Sequence, residues 1–144
     1  MLVHQILNSK PQEGVITIGP DASVTEAVDL LSSKRIGAVV VANADGSLAG
    51  ILSERDIVRE LGRRGTGCLN DSVGDMMTRD LVSCTPQDTA DQVMVRMTEG
   101  RFRHMPVMEG ETMIGLISIG DVVKARLSEL SMERDALQGM VMGY

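Results

Sequence analysis

The 144 residues carry 14 Lys and Arg against 20 Asp and Glu, a formal net charge of −6, and only two aromatic side chains, Phe102 and Tyr144. An acidic chain of this kind is unsuited to duplex nucleic acid, where affinity rests on basic side chains at phosphates, and it lacks the rings on which single strands stack. Its length allows one domain or two half-size units sharing a core, filled by aliphatic side chains and 11 Met.

The chain opens on an arm, MLVHQILNSK, without the basic and long apolar regions of a signal peptide. His4 lies there without neighbouring ligand types and reads as surface. The longest apolar run, residues 36–42, is too short to span a bilayer. Cys68 and Cys84 form neither a CxxC pair nor a disulfide framework, so no zinc site and a cytoplasmic location are expected.

From residue 15 onward the sequence repeats itself. A shift of 66 residues lays VITIGPDASVTEAVDLL (15–31) over LVSCTPQDTADQVMVRM (81–97). Val24, Ala27, Val28 and Leu31 fall on Ala90, Val93, Met94 and Met97, each set spaced as the buried face of a helix. Ser23-x-x-Glu26 and Thr89-x-x-Gln92 predict capping boxes at the two helix starts. Then come β-rich stretches, RIGAVVV (35–41) and RFRHMPV (101–107), turns at NADG and EGE, and the apolar strands LAGIL and MIGLI. The second turn is one residue shorter, which lowers the offset to 65. A final helix follows Ser53 and Ser118. Each copy thus reads strand, helix, strand, strand, helix.

The expected organisation is an arm and first repeat over 1–61, a Gly-rich linker over 62–72, a second repeat over 73–131 and a tail over 132–144. Neither repeat could bury both faces of its small sheet alone. The fold class expected is therefore α/β (α+β), with two pseudo-symmetric repeats packed sheet to sheet. No GxGxxG follows the first strand, so the usual dinucleotide fingerprint is absent.

The last two elements of each copy meet in a shared phrase, GILSERD (50–56) and GLISIGD (115–121). Ser53 with Asp56, and Ser118 with Asp121, have the spacing of a helix cap, worth about 1 kcal/mol. They also stand at the carboxyl end of a buried strand, where α/β ligands sit. Backbone N–H groups there can hold an anion, and a carboxylate can accept from a ribose diol. Spacing alone leaves both readings open.

From Val15 to Arg126 the chain resembles a tandem pair of cystathionine-β-synthase (CBS) domains, a Bateman module. The resemblance rests on the doubled G-h-h-S-x-x-D, on SERDIV (53–58), on DMMT (75–78) and on RHMPV (103–107). It implies a regulatory sensor, not a catalyst, for adenosine-containing ligands: AMP, ADP, ATP, S-adenosylmethionine or NAD. It further implies two crossed sites. One pairs Ser53, Arg55 and Asp56 with Val82, Ser83, Cys84 and Thr85, closed by Arg103, His104, Met105 and Pro106. The other pairs Ser118, Ile119 and Asp121 with Ile16, Thr17, Gly37 and Ala38. Arg55, Arg103 and His104 correspond in the other site to Gly120, Gly37 and Ala38, so the first is expected to hold phosphate more strongly. A homodimer and an effector protein are the partners implied; nucleic acid and membrane are not. Cys84 reads as a small buried hydrophobe. A Cys84–His104 nucleophile pair can be written, but no orienting group or oxyanion loop accompanies it.

Overall fold

The computed structural model describes residues 1–10 and 14–142. It contains helices α1 (Val3–Ser9), α2 (Val24–Lys34), α3 (Glu54–Arg64), α4 (Val73–Met76), α5 (Ala90–Gly100) and α6 (Ile119–Met142). The strands are β1 (Thr17–Ile18), β2 (Ala38–Ala42), β3 (Leu48–Ser53), β4 (His104–Glu109) and β5 (Thr112–Ser118). The mixed α/β architecture expected from the repeats is present. Residues 62–72, expected as a linker, are largely structured: α3 runs to Arg64 and a 3-10 helix covers Thr66–Asn70. The tail continues α6 as far as Met142; Gly143 and Tyr144 lie outside the described residues.

The chain divides into two compact units at places other than the expected boundaries. One is Gly14–Leu81; the other joins Met1–Glu13 to Val82–Tyr144. The short helix ahead of each repeat therefore packs with the opposite repeat. In the Gly14–Leu81 unit, Val24 N donates to Asp71 O (2.9 Å), Val73 N to Ala22 O (2.8 Å) and Gly74 N to Pro20 O (2.9 Å). In the other unit, Ala90 N donates to Met1 O (2.9 Å), Val3 N to Asp88 O (2.8 Å) and His4 N to Pro86 O (3.0 Å). The two sets superpose bond for bond, with residues 1–4 standing where 71–74 stand. Val3 and Ile6 fill one core beside Val93, Met97 and Ile117. Val73, Met76 and Met77 fill the other beside Ala27, Leu31 and Leu52. Each such side chain, fully buried, contributes at most roughly 1.5–3 kcal/mol of transfer free energy.

Helix starts follow the expected chemistry with one difference. Thr89 and Gln92 exchange both capping bonds, whereas Ser23 Oγ accepts from Glu26 N without a described return bond. Both first helices end on an arginine in the left-handed region, Arg35 at φ 54° and Arg101 at φ 57°.

In the first repeat β1 pairs parallel with β2, and β2 antiparallel with β3. In the second, β4 and β5 form a hairpin. Both hairpins shift register at the same place, between Val41 and Ala42 and between Val107 and Met108. The leading strand expected near residues 81–85 shrinks to one bridge, Cys84 to Val107. Proline is the reason. Val40 N donates to Ile16 O (3.3 Å), but its counterpart, Pro106, has no N–H to offer Val82. The bonds that survive are Cys84 N to Pro106 O (3.0 Å) and Met108 N to Cys84 O (2.8 Å).

The shared glycine of the repeated phrase also has a steric cause. A Cβ on Gly50 would lie 2.6 Å from Thr78 O and 2.8 Å from Met77 Sδ, and one on Gly115 would lie 2.9 Å from Leu7 Cδ2. Both glycines make room for the exchanged arm. Gly50→Ala is therefore expected to destabilise the protein by about 1–3 kcal/mol in urea unfolding. Gly62→Ala, in α3 with nothing within 4 Å, should instead stabilise by up to about 1 kcal/mol.

Candidate functional site

β3 passes into α3 through Ser53, and β5 into α6 through Ser118. The first helical N–H of each is tied to its own hairpin: Glu54 N donates to Gly37 O (2.9 Å), and Ile119 N to Arg103 O (2.8 Å). The third is tied to the serine, with Asp56 N donating to Ser53 Oγ (3.3 Å) and Asp121 N to Ser118 Oγ (3.2 Å). Two of the amides that could form an anion seat are thus engaged in the structure.

The two aspartates return the cap, but in different surroundings. Asp56 is buried, 6% exposed. Its Oδ2 accepts from Ser53 N (3.0 Å) and Ser53 Oγ (3.1 Å), and its Oδ1 from Arg59 Nη2 (3.0 Å) and Thr78 Oγ1 (3.4 Å). Asp121 is half-buried. Its Oδ2 accepts from Ser118 N (2.9 Å) and from Lys10 Nζ (2.9 Å), which also donates to Leu116 O (3.0 Å). Among the described residues no bond falls on Asp121 Oδ1. Burial pushes the Asp121 carboxyl up, but the Ser118 N–H and the Lys10 ammonium outweigh it, so its pKa lies below the usual value.

The remaining predicted residues gather by unit. Ile16 and Thr17 lie on or beside β1, and Ala38 is the register partner of Ser53. His104 is likewise the partner of Ser118. Gly37 and Arg103 accept the helix N–H bonds just described. Met105, Pro106 and Cys84 are buried, whereas Arg55, Val82, Ser83, Thr85 and Arg103 are exposed. Thr85 N donates to Asp88 Oδ2 (2.9 Å). The structure therefore brings Ser53 and Asp56 together with Gly37 and Ala38, and Ser118, Ile119 and Asp121 together with Arg103 and His104. The crossed sites implied by the resemblance take their members from different units.

Burial, with Asp88 nearby and Arg96 only partly offsetting it, raises the Cys84 thiol to about 11. That thiol donates to Pro106 O at 3.8 Å. It stays protonated at neutral pH, which disfavours a Cys84–His104 nucleophile. Among the described residues no group of three His, Cys, Asp or Glu side chains could hold a metal, and no helix is long and apolar enough to cross a membrane.

Three side chains at the corners were missed from the sequence: Arg59, Thr78 and Lys10. Arg59 was accessible, since it stands three residues after Asp56 on one helix face. Lys10 and Thr78 arrive through the arm exchange, at 111 and 22 residues' separation from their aspartates, and no local pattern signals them.

The family model of the CBS domain matches residues 3–63 and again residues 73–128. The chain belongs to the CBS domain family. It is 37% identical over 127 residues to the mitochondrial CBS domain-containing protein CBSX3 of Arabidopsis thaliana, covering 85% of this chain and 62% of that one. The crystal structure of the CBS-domain containing protein ATU1752 from Agrobacterium tumefaciens is 48% identical with a TM-score of 0.83, covering 87% of this chain and 92% of that one. The CBS pair of protein MJ0100, solved with 5'-methylthioadenosine and S-adenosyl-L-methionine, shares the fold at 24% identity and a TM-score of 0.77, over 90% and 98% of the chains. The chain spans 62%, 40% and 23% of the lengths of three curated relatives. A tandem CBS pair is a regulatory module.

The Lys10–Asp121 contact has a pH signature. A carboxylate with a depressed folded pKa contributes stability above its unfolded value, near 3.9, and loses it as pH falls through the folded value. Lys10→Met should cost at most about 1 kcal/mol at pH 7, since the lysine is partly exposed. The gap between the variant and the parent should close in urea unfolding at pH values low enough to protonate Asp121 in both.

Proposed function

We propose that the chain is a regulatory module that binds an adenosine-containing ligand, with Asp121 and Asp56 as acceptors for ribose hydroxyls. The observation that carries this reading is the doubled strand-to-helix corner, each with a serine and a carboxylate held at the first turn of its helix. The bound 5'-methylthioadenosine and S-adenosyl-L-methionine of MJ0100, on the same fold, support the ligand class. AMP, ADP, ATP, S-adenosylmethionine and NAD are the candidates. The ligand would sense energy or cofactor state and act through a homodimer or an effector protein in the cytoplasm, by its differing affinity for two states of the assembly.

The corners are proposed to work unequally. Both oxygens of Asp56 are engaged with Ser53, Arg59 and Thr78, so a ribose there must displace an existing donor. Asp121 keeps Oδ1 free of described bonds. Lys10 also places a cation on Asp121 itself, in the unit where His104 pairs with Ser118 and Arg103 accepts from Ile119 N, whereas the resemblance set Arg55, Arg103 and His104 with Asp56. A second reading, a structural interaction module without ligand, is favoured by one observation: both Ser–Asp pairs already satisfy each other as reciprocal helix caps.

Titration calorimetry with AMP, ATP, NAD and S-adenosylmethionine separates the two. The sensor predicts saturable binding with Kd between about 1 μM and 1 mM, weakened at least tenfold by Asp121→Asn and less by Asp56→Asn. Heat-free titrations of folded, ligand-stripped protein across the panel would favour the structural module.

A further inference from the structure

The Asp121 corner holds an ion pair whose lysine comes from the exchanged arm. Lys10 closes α1, its backbone N–H donating to Leu7 O at 3.2 Å. Val3 and Ile6, 0% and 2% exposed, fix that helix in the core of the unit, and Leu7 packs on the same core. The ammonium is therefore carried at the end of an anchored helix. It donates to Asp121 Oδ2 (2.9 Å) and to Leu116 O (3.0 Å), while its side chain stays 37% exposed and that of Asp121 22% exposed.

Two valences of this pair have no bond among the described residues: the third N–H of the ammonium and Asp121 Oδ1. A vicinal diol fits both, one hydroxyl donating to Oδ1 and the oxygen of the other accepting from Nζ. The pair is also electrically neutral. Burial raises the Asp121 carboxyl, but the Ser118 N–H and Lys10 hold it below its usual pKa, so both partners are charged at neutral pH. Without the ammonium, a half-buried carboxylate would face whatever the ribose carries and would repel a phosphate there. At Asp56 both oxygens are already engaged, so that corner offers no matching acceptor.

We propose that Lys10 is a specificity-determining residue: it holds one ribose oxygen and, by neutralising Asp121, makes this corner select adenosine ligands that carry phosphate over uncharged or cationic ones. The inference rests on the adenosine reading above and adds the charge of the ligand to it. AMP, 5'-methylthioadenosine and S-adenosylmethionine share adenine and the ribose diol. They differ at the 5' position, which carries a phosphate dianion, no charge and a sulfonium cation respectively. Losing the hydrogen bond from Lys10 weakens all three alike. Losing its charge separates them, with AMP harmed most and S-adenosylmethionine least.

Titration calorimetry on Asp56→Asn protein reads the Asp121 corner. There Lys10→Met should weaken AMP at least about fivefold more than 5'-methylthioadenosine, the size expected for one unit charge roughly 7 Å away, and S-adenosylmethionine less than either. Lys10→Arg should restore the AMP preference. Raising NaCl from about 50 to about 500 mM should narrow the gap, because the Debye length shortens to a few ångströms. Equal losses for the three ligands, or a gap indifferent to salt, would make Lys10 a hydrogen-bond donor alone and overturn the selection by charge. No loss for any ligand, with folding confirmed by circular dichroism, would overturn the role altogether. Parent protein that binds AMP but loses it fully on Asp56→Asn would overturn this inference and leave the adenosine reading standing. A parent that binds none of the three would overturn both.

Discussion

Everything in the two units depends on burial of a few apolar side chains from a short helix that precedes the wrong repeat. Val3 and Ile6 close the core of a unit otherwise built from residues 82–142, and Val73 and Met76 close the core of the unit that begins at Gly14. A helix of four or seven residues has no stability of its own. It exists because the receiving repeat offers it an apolar floor and three backbone bonds. The receiving repeat, in turn, would expose its helix face and its shared glycine without it. The glycines follow from this dependence, because Gly50 and Gly115 lie where Thr78 and Leu7 come closest.

The same exchange reaches the candidate site. The Asp56 carboxylate takes three bonds from its own serine and helix and one from an arm, Thr78; the Asp121 carboxylate takes one from its own serine and one from an arm, Lys10. The arms differ in sequence although they superpose in backbone bonding, and that difference makes the corners chemically unequal. A neutral hydroxyl meets one carboxylate and an ammonium meets the other. Asymmetry in this protein is thus supplied from outside the repeated phrase.

The parts legible in the sequence were those written in local periodicity. The helix faces at Val24 and Ala90, the caps at Thr89 and Ser53, and the hairpin turns all depend on residues within a few positions of one another. The short leading strand of the second repeat was misread because its pattern is apolar, while the fault lies in the missing N–H of Pro106 on another strand. The arm exchange was also invisible, since the 70-residue match of residues 1–9 to 71–79 keeps little beyond Val3 with Val73 and apolar residues at 6 and 7. Lys10 accordingly could not be assigned to Asp121. The serine–aspartate pairs were found, but spacing could not tell a cap from a ligand corner, because the same bonds build both.

The exchange also imposes an order of events during synthesis. Lys10 and Asp121 are 111 residues apart, so α1 leaves the ribosome long before the strand and helix that receive it. At roughly 5–20 residues per second that interval is on the order of 6–22 s. Throughout it Val3 and Ile6 have no floor to rest on. The Gly14–Leu81 unit, whose own closing helix follows it directly, can finish meanwhile. The nascent chain therefore carries a folded Gly14–Leu81 unit and a waiting α1 until β5 and α6 are made to receive it.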